Sequence, residues 1–410
     1  MVITAAIFPP FYESTTTQAF GSEMLTFLGI EISNSVLYSY TFSFSFLIIA
    51  FLSPILSGIA DYSGQKKSYM RFFVLMGSLS CLILFFFNGS NLLLGILCIV
   101  AGNIGFNGSL VFYNAYLPEI ASEDKRDRVS AKGFSLGYLG GFILLVLNLI
   151  FIMNFEKFGI PDKTLAVQIC FLTVGLWWFG FSLYSFHYLP SGFQKNTKHK
   201  HYLLNGFKEL VKVFNQIRRL QQIRIFLYAF FIYSMGVQTV LYMAALFGAK
   251  ELNVPSDKLI LSILIIQLVA MVGAQLAAWL SEKTNNLKAI SIILAGWVIM
   301  CITAYFTTKP NGFFLLAFMV GLVMGGIQSL SRSTYSKLIP ENTTDTASFF
   351  SFYEFTEKVA IVLGIAAYGF IEQISGSMRN SVILLGLFFI TGFLVLLFSS
   401  PKKVTKKHQI

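Results

Sequence analysis

Long apolar stretches alternate with short polar loops along almost the whole chain. Eleven stretches are each about 20 residues long, which is the helical length that crosses roughly 30 Å of hydrocarbon. They cover residues 36–59, 69–87, 92–116, 133–153, 165–188, 225–246, 259–280, 287–306, 313–338, 349–370 and 381–398. None shows the alternation of a lipid-facing β-strand. The pattern therefore predicts an all-α membrane protein with eleven full spans and, at 2–12, a partial first span.

The stretch at 2–12 covers only about half of the hydrocarbon thickness at a rise of roughly 1.5 Å per residue. It would leave Met1 inside the bilayer, where the first backbone amides have no partners. We expect the natural protein to begin roughly 15 to 30 residues earlier, which is half a span plus a short lead. The alternative is an eleven-span protein whose N-terminus lies outside.

Composition and charge agree with a bilayer environment. Of the 410 residues, 55% are hydrophobic and 12% charged, so the chain has more apolar surface than a soluble domain buries. The net charge of +11 does not indicate nucleic-acid binding, because most of the 30 Lys and Arg residues lie in loops on one side of the spans. The positive-inside rule makes that side cytoplasmic. We therefore expect a multi-pass protein of the cell (inner) membrane whose C-terminus lies in the cytoplasm.

One long basic connection divides the spans into two groups. The predicted regions are an N-terminal helix bundle at 1–188, a cytoplasmic linker at 189–224, a C-terminal helix bundle at 225–399 and a basic tail at 400–410.

Two short internal matches support a duplication. Residues 116–119 resemble 338–341 at the ends of corresponding spans, and 59–64 resemble 280–285 at a common offset. Together they predict a two-fold repeat of helical halves.

Within the linker, apolar residues recur at helical spacing opposite basic ones. The apolar positions are Leu203, Phe207, Leu210, Val211, Phe214 and Ile217. We expect an amphipathic helix that lies flat on the inner leaflet. An ordinary linker without a further role is the alternative.

The loop at 57–67 reads Ser-Gly-Ile-Ala-Asp-Tyr-Ser-Gly-Gln-Lys-Lys. It resembles the major facilitator signature Gly-x-Leu-Ala-Asp-Arg-x-Gly-Arg-Lys-Lys that follows the second span. The matching positions are Asp61, Gly64, Lys66 and Lys67, and the departures are Ser57, Tyr62 and Gln65. A tight turn of this kind presents a carboxylate to the exposed amides of a neighbouring helix start. We interpret the four matching residues as a conformational latch; a chance inter-span loop is the alternative.

Further runs narrow the family. Residues 102–107, 112–119, 137–141, 326–333 and 349–353 are similar to the major facilitator branch related to the autophagy-linked vacuolar effluxers. The resemblance implies a major facilitator fold of two pseudo-symmetric six-helix bundles. It also implies a secondary active or facilitative transporter that works by alternating access. Because fungal members are implicated in exporting amino acids from the vacuole, amino acids are the implied substrate class.

Polar residues inside spans are costly and are therefore candidates for a substrate path. Asn103, Asn107 and Asn114 share one helical face and could line a cavity. Gln328 is a further candidate. Interhelical hydrogen bonds that hold the bundle together are the alternative for each of these residues.

Charges inside an apolar span are the strongest candidates. Glu354 and Lys358 can pair at i,i+4, which leaves Glu357 without an obvious intrahelical partner. Glu357 is therefore the candidate for proton binding or substrate contact, and a salt bridge between Glu357 and Arg332 is the alternative. All four residues are assigned to the substrate or proton path.

The spans contain no cluster of side chains of the kind that enzyme catalysis requires. The four His residues lie near or beyond span ends, the four Cys lie inside spans, and no GxxxxGK[ST] phosphate loop is present. We predict no enzymatic activity, no cofactor and no metal. The expected partners are a small-molecule substrate, a proton as coupling ion and membrane lipid, and the expected state is a monomer. A non-transporting membrane sensor or scaffold is the alternative function.

Overall fold

The computed structural model describes residues 7–22, 24–191, 202–341 and 343–397, and helices dominate it. The α-helices are α1 (Phe8–Phe20), α2 (Asn34–Ser63), α3 (Lys66–Ile83), α4 (Leu92–Ala115), α5 (Leu117–Ile120), α6 (Arg126–Met153), α7 (Lys163–Tyr188), α8 (Tyr202–Arg219), α9 (Gln221–Glu251), α10 (Ser256–Lys283), α11 (Asn286–Phe306), α12 (Gly312–Leu338), α13 (Thr346–Ser375) and α14 (Met378–Leu397). Short 3-10 turns occupy Leu84–Phe86, Glu123–Lys125 and Phe155–Phe158.

Within the described part of the chain, eleven helices are long and apolar enough to cross a membrane. They are α2, α3, α4, α6, α7 and α9 to α14. The prediction of eleven full spans is therefore confirmed. Several helices extend past the predicted apolar stretches because polar residues cap them. Helix α2, for example, begins at Asn34, and the Ser33 hydroxyl accepts a hydrogen bond from the backbone N–H of Val36.

The predicted half-span at 2–12 overlaps helix α1, which continues to Phe20. The buried Thr16 hydroxyl donates to the carbonyl oxygen of Tyr12 at 2.7 Å. This polar side chain is satisfied within the helix and so does not end it. Residues 2–6 of the predicted half-span lie outside the described residues.

A two-stranded hairpin, which the apolar pattern did not predict, joins α1 to α2. Strand β1 (Met24–Phe27) pairs antiparallel with β2 (Ile30–Ser33). The two turn residues, Leu28 and Gly29, have φ values of 52° and 81°. Positive φ at both positions is the geometry of a tight two-residue hairpin turn.

Contacts divide the chain into two compact units. Unit 1 comprises Met1–Tyr116, Gly140–Leu210 and Thr344–Phe355. Unit 2 comprises Leu117–Leu139, Val211–Thr343 and Thr356–Ile410. Relative to the bundles expected at 1–188 and 225–399, each unit includes one short segment from the opposite half of the sequence. Helices α6 and α13 therefore each contribute residues to both units.

The core of unit 1 is built around α3, which packs against α4 and α7. A Cβ atom at Gly105 would lie 2.6 Å from the Cα of Gly77, so the backbones of α3 and α4 are in direct contact there. On the other side, a Cβ at Gly77 would overlap the ring of Trp178 in α7. Small residues thus allow three spans to meet at one level.

Unit 2 uses the same principle between α10 and α12. A Cβ at Gly321 would lie 2.8 Å from the carbonyl oxygen of Ile266, and one at Gly325 would overlap the carbonyl oxygen of Ala270. Further along the unit, the fully buried Trp297 stacks on Phe389 with ring centroids 5.0 Å apart. Close backbone approach between small residues is the usual way in which membrane helices associate.

Candidate functional site

The carboxylate of Asp61 caps the start of helix α13 within unit 1. Asp61 lies in the last turn of α2 and is 3% exposed. One carboxylate oxygen accepts the backbone N–H of Ala347 at 3.2 Å, and the other accepts that of Ser348 at 2.6 Å. The first amides of a helix have no intrahelical partners and carry partial positive charge. The buried carboxylate satisfies two of them directly.

Two other predicted latch residues join Asp61. Gly64 ends α2 with φ of 71°, the left-handed conformation that the turn requires. Lys66, the first residue of α3, is buried and donates from Nζ to the Thr346 hydroxyl at 2.7 Å. The start of α13 is thus held by an anion and a cation from the same loop.

Lys67, the fourth predicted latch residue, lies elsewhere. Its Nζ donates to the carbonyl oxygen of Leu189, just beyond the end of α7, at 2.6 Å. Consecutive residues at a helix start point in directions about 100° apart, so Lys66 and Lys67 serve different neighbours.

The linker helix α8 docks beside the latch. A Cβ at Gly206 would lie 2.8 Å from the backbone nitrogen of Ile59. Helix α8 therefore contacts the backbone of α2 two residues before Asp61. Asn205 donates from Nδ2 to the Tyr62 hydroxyl at 3.0 Å. Tyr62, where the family pattern has arginine, therefore serves as an anchor for the linker.

The three asparagines of α4 divide into two sites in unit 1. Asn107 donates to the side-chain oxygen of Asn103 at 2.7 Å, and Asn103 donates to the Ser45 hydroxyl of α2. Asn114 lies apart from this pair and donates to Oε1 of Glu354 at 2.7 Å. The shared helical face therefore forms a polar row that includes one buried acid, while the bond to Ser45 also fits the alternative of interhelical attachment.

Glu357 forms a paired site in unit 2. Its Oε1 accepts from Nε2 of Gln238 in α9 at 2.7 Å, and its Oε2 accepts from Nζ of Lys358 at 3.0 Å. The expectation that Glu357 lacks an intrahelical partner is therefore wrong. An unpaired charge in a span is costly, and the four-carbon stem of lysine is long enough to reach the adjacent carboxylate.

Gln328 and Arg332, one turn apart on α12, contact the first half of α6. Tyr138 donates from its hydroxyl to Oε1 of Gln328 at 2.5 Å. Arg332 donates to both the hydroxyl and the carbonyl oxygen of Ser130 at 2.9 Å, and its guanidinium lies 4.5 Å from the ring centroid of Phe134. The buried arginine of α12 is thus bonded to α6, within unit 2.

A second carboxylate cluster, at Asp127 in unit 2, was not predicted. One oxygen accepts from Lys337 at 2.6 Å and from the Ser281 hydroxyl at 3.0 Å, and the other accepts from Asn286 at 2.7 Å. Ser281 and Asn286 flank the α10–α11 loop, the segment whose sequence repeats that of the Asp61 loop. That repeat, together with an acid in the first turn of α6, is the signal that could have identified the cluster.

The fold is that of the major facilitator transporters. The chain superposes on the transporter FucP, solved in its outward conformation, with a TM-score of 0.72, covering 98% of this chain and 96% of that one at 14% identity. The chain belongs to the family described as vacuole effluxer Atg22 like, which matches residues 12–409.

Two relatives show the range of this family. The MFS-type transporter YxiO of Bacillus subtilis is 32% identical over 411 residues, covering all of this chain and 93% of the relative. Autophagy-related protein 22-1 of Penicillium rubens is 26% identical over 452 residues, covering 89% of this chain and 75% of the relative. Fold and family place the chain among transport proteins, not enzymes.

Proposed function

We propose that this protein moves a small solute across the membrane by alternating access. The observation that carries the proposal is the capping of helix α13 by Asp61, because it is a contact suited to form in one state and open in another. In this mechanism the two six-helix halves, 1–188 and 225–399, rock about a central path, with 189–224 as their linker.

The energy of the Asp61 contact suits a reversible latch. Loss of a helix cap costs about 0.5–2 kcal/mol, and a charge near a helix N-terminus contributes up to about 2 kcal/mol. At about 1–2 kcal/mol, such a contact shifts a two-state equilibrium by roughly five- to thirtyfold. It is strong enough to populate one state and weak enough to open during each cycle.

The Asp127 cluster supports a second latch, in unit 2. In unit 1 the loop supplies the carboxylate and α13 supplies the amides. In unit 2 the start of α6 supplies the carboxylate, and Ser281, Asn286 and Lys337 supply the donors. Both clusters involve loops that the two-fold repeat relates, so each compact unit carries one carboxylate-centred contact.

Glu357 is the proposed proton site. Its carboxylate is half-buried in a span, accepts from Gln238 and is neutralised by Lys358. Protonation of Glu357 would remove the negative charge that Lys358 contacts. A proton could in this way change which charge is available to a substrate, which is the requirement for coupling.

Amino acids are the proposed substrate class. Glu357 and Lys358 place an anion and a cation 3.0 Å apart in an otherwise apolar helix. These are the two charges that bind the ammonium and carboxylate groups of a zwitterion. The family is described as vacuole effluxer Atg22 like, so the proposed direction of transport is efflux.

The proposed location is the cell membrane, with the C-terminus in the cytoplasm. The support is the positive-inside distribution of Lys and Arg among the loops. The loops that carry Asp61, Asp127 and the linker would then all lie on the cytoplasmic side.

A solute screen tests the proposed function. The purified protein is reconstituted into sealed liposomes and offered labelled amino acids, short peptides and sugars, with and without a pH gradient. We expect at least one amino acid to accumulate above the level of protein-free liposomes. A solute that binds the protein but is never moved would instead support a membrane sensor.

A further inference from the structure

A cavity lies between α3 and α7 in unit 1, and nothing in the transport proposal uses it. Its volume is about 630 Å³, within the range of roughly 300–1,000 Å³ that is typical of ligand sites. One end is lined by the basic or imidazole side chains of Lys67, Arg71 and His187. The remainder is lined by apolar side chains, among them Leu75, Phe179 and Leu183.

Helical spacing explains why charge and apolar surface separate within this cavity. The lining residues of α3 follow the spacing i, i+4, i+7 and i+8, starting from Lys67, and those of α7 follow the same spacing, starting from Phe179. The bond from Lys67 to Leu189 shows that the start of α3 meets the end of α7. The basic start of α3 therefore lies beside the end of α7, where His187 is.

Deeper in unit 1 the two helices close on each other. A Cβ at Gly77 would overlap the ring of Trp178, and a Cβ at Gly175 would lie 2.8 Å from the carbonyl oxygen of Ser78. This direct contact lies one turn or less from the lining residues Val74 and Phe179. The lining also includes exposed side chains such as Leu183, which is 52% exposed.

The cations are held in place at the edge of the cavity. Lys67 uses one of its three ammonium donors on Leu189, which leaves two for a ligand. The guanidinium of Arg71 lies 5.4 Å from the ring centroid of Phe186. Neither α3 nor α7 contains an Asp or Glu, so no carboxylate of these two helices opposes Lys67 and Arg71.

We propose that this cavity binds an anionic phospholipid. The phosphate group bonds to Lys67 and Arg71, with His187 beside it, and an acyl chain follows Leu75, Phe179 and Leu183. From Lys67 to Leu75 helix α3 rises roughly 12 Å, which spans the headgroup layer and the outer part of the hydrocarbon. In the orientation proposed above, this leaflet is the cytoplasmic one, which is rich in anionic lipid.

Lipid binding to the purified full-length protein in detergent tests this site. Native mass spectrometry measures the binding of palmitoyl-oleoyl phosphatidylglycerol and of phosphatidylcholine with the same chains. We expect the anionic lipid to bind at least about tenfold more tightly. In Lys67→Gln/Arg71→Gln, this preference should be lost, because each cation near an anionic lipid contributes a factor of about five and two of them together account for at least the tenfold difference.

Three controls keep the result interpretable. Lys283→Gln/Lys288→Gln removes two exposed cations from the start and end of the α10–α11 loop and should keep the lipid preference. If the double variant fails to fold, Arg71→Gln alone serves in its place. It retains the bond from Lys67 to Leu189 and should still reduce the lipid preference. Inorganic phosphate should compete only weakly, because it lacks the acyl chain.

Equal binding of the two lipids to the wild-type protein would overturn the proposal, as would an equal loss in the Lys283/Lys288 control. Full competition by inorganic phosphate would show a simple anion site instead. None of these outcomes depends on whether the protein transports a solute, so the lipid site and the proposed function fail separately.

Discussion

The Asp61 carboxylate accepts a 2.6 Å hydrogen bond from the backbone amide of Ser348, although 287 residues separate them in the chain. The bond joins the end of one membrane helix to the start of another. Because a single carboxylate makes this contact, exchanging one of its oxygens for nitrogen in Asp61→Asn tests the proposed latch. The proposed alternation between two states depends on this bond.

Glu357→Gln should abolish accumulation driven by a pH gradient while preserving exchange of substrate across the membrane. Glutamine can still bond to Gln238 but cannot release a proton. The measurement is uptake into proteoliposomes with and without the gradient. Glu372→Gln, on the same helix but at the exposed pair with Lys250, is the matched control and should behave like the wild type. Intact pH-driven accumulation in Glu357→Gln would remove Glu357 from the coupling mechanism.

Asp127→Asn should lower the thermal stability of the purified protein by about 2 kcal/mol. The substitution leaves the ammonium of Lys337, which is 20% exposed, without its charged partner. The apparent Tm in detergent should fall by several degrees. Glu282→Gln removes a carboxylate from a more exposed pair with Arg128 and should change the Tm much less. Equal shifts in both variants would contradict the structural role of Asp127.

Orientation can be measured with single reporter cysteines. The four native cysteines are buried, and Thr284 and Lys309 are exposed in loops at opposite ends of α11. A thiol reagent that cannot cross the membrane should label Lys309→Cys in intact cells and Thr284→Cys only after the cells are opened. The reverse pattern would invert the proposed topology.

The spans were predictable from the sequence because the bilayer imposes a length and an apolar composition on every one of them. The hairpin between α1 and α2 was not, since its four-residue strands leave no comparable pattern. Near Asp61, local spacing predicted the turn, and Gly64 has the expected positive φ. Its partners could not be predicted, because Ala347 and Ser348 reach it only through tertiary folding.

The charged residues of α13 show a second limit. The i,i+4 rule considered only pairs along one helix face and left Glu357 unpaired. In the structure Gln238 approaches from α9, and Lys358 bonds to its own neighbour. Asp127 was not predicted for a related reason. Its partners Ser281, Asn286 and Lys337 lie at the ends of other helices, and the sequence does not show which helix ends meet.

The most direct test of the central claim compares transport with binding in Asp61→Asn. Sealed proteoliposomes are preloaded with an excess of an unlabelled solute from the screen, and entry of the labelled solute is followed while its Kd is measured on purified protein. We predict that the labelled solute accumulates transiently in proteoliposomes of the wild type. In Asp61→Asn the rate of entry should be lower by roughly five- to thirtyfold, with a much smaller change in Kd. The exposed control Asp124→Asn should behave like the wild type. Binding without any movement by the wild type, or an equal loss of rate and affinity in Asp61→Asn, would contradict the account.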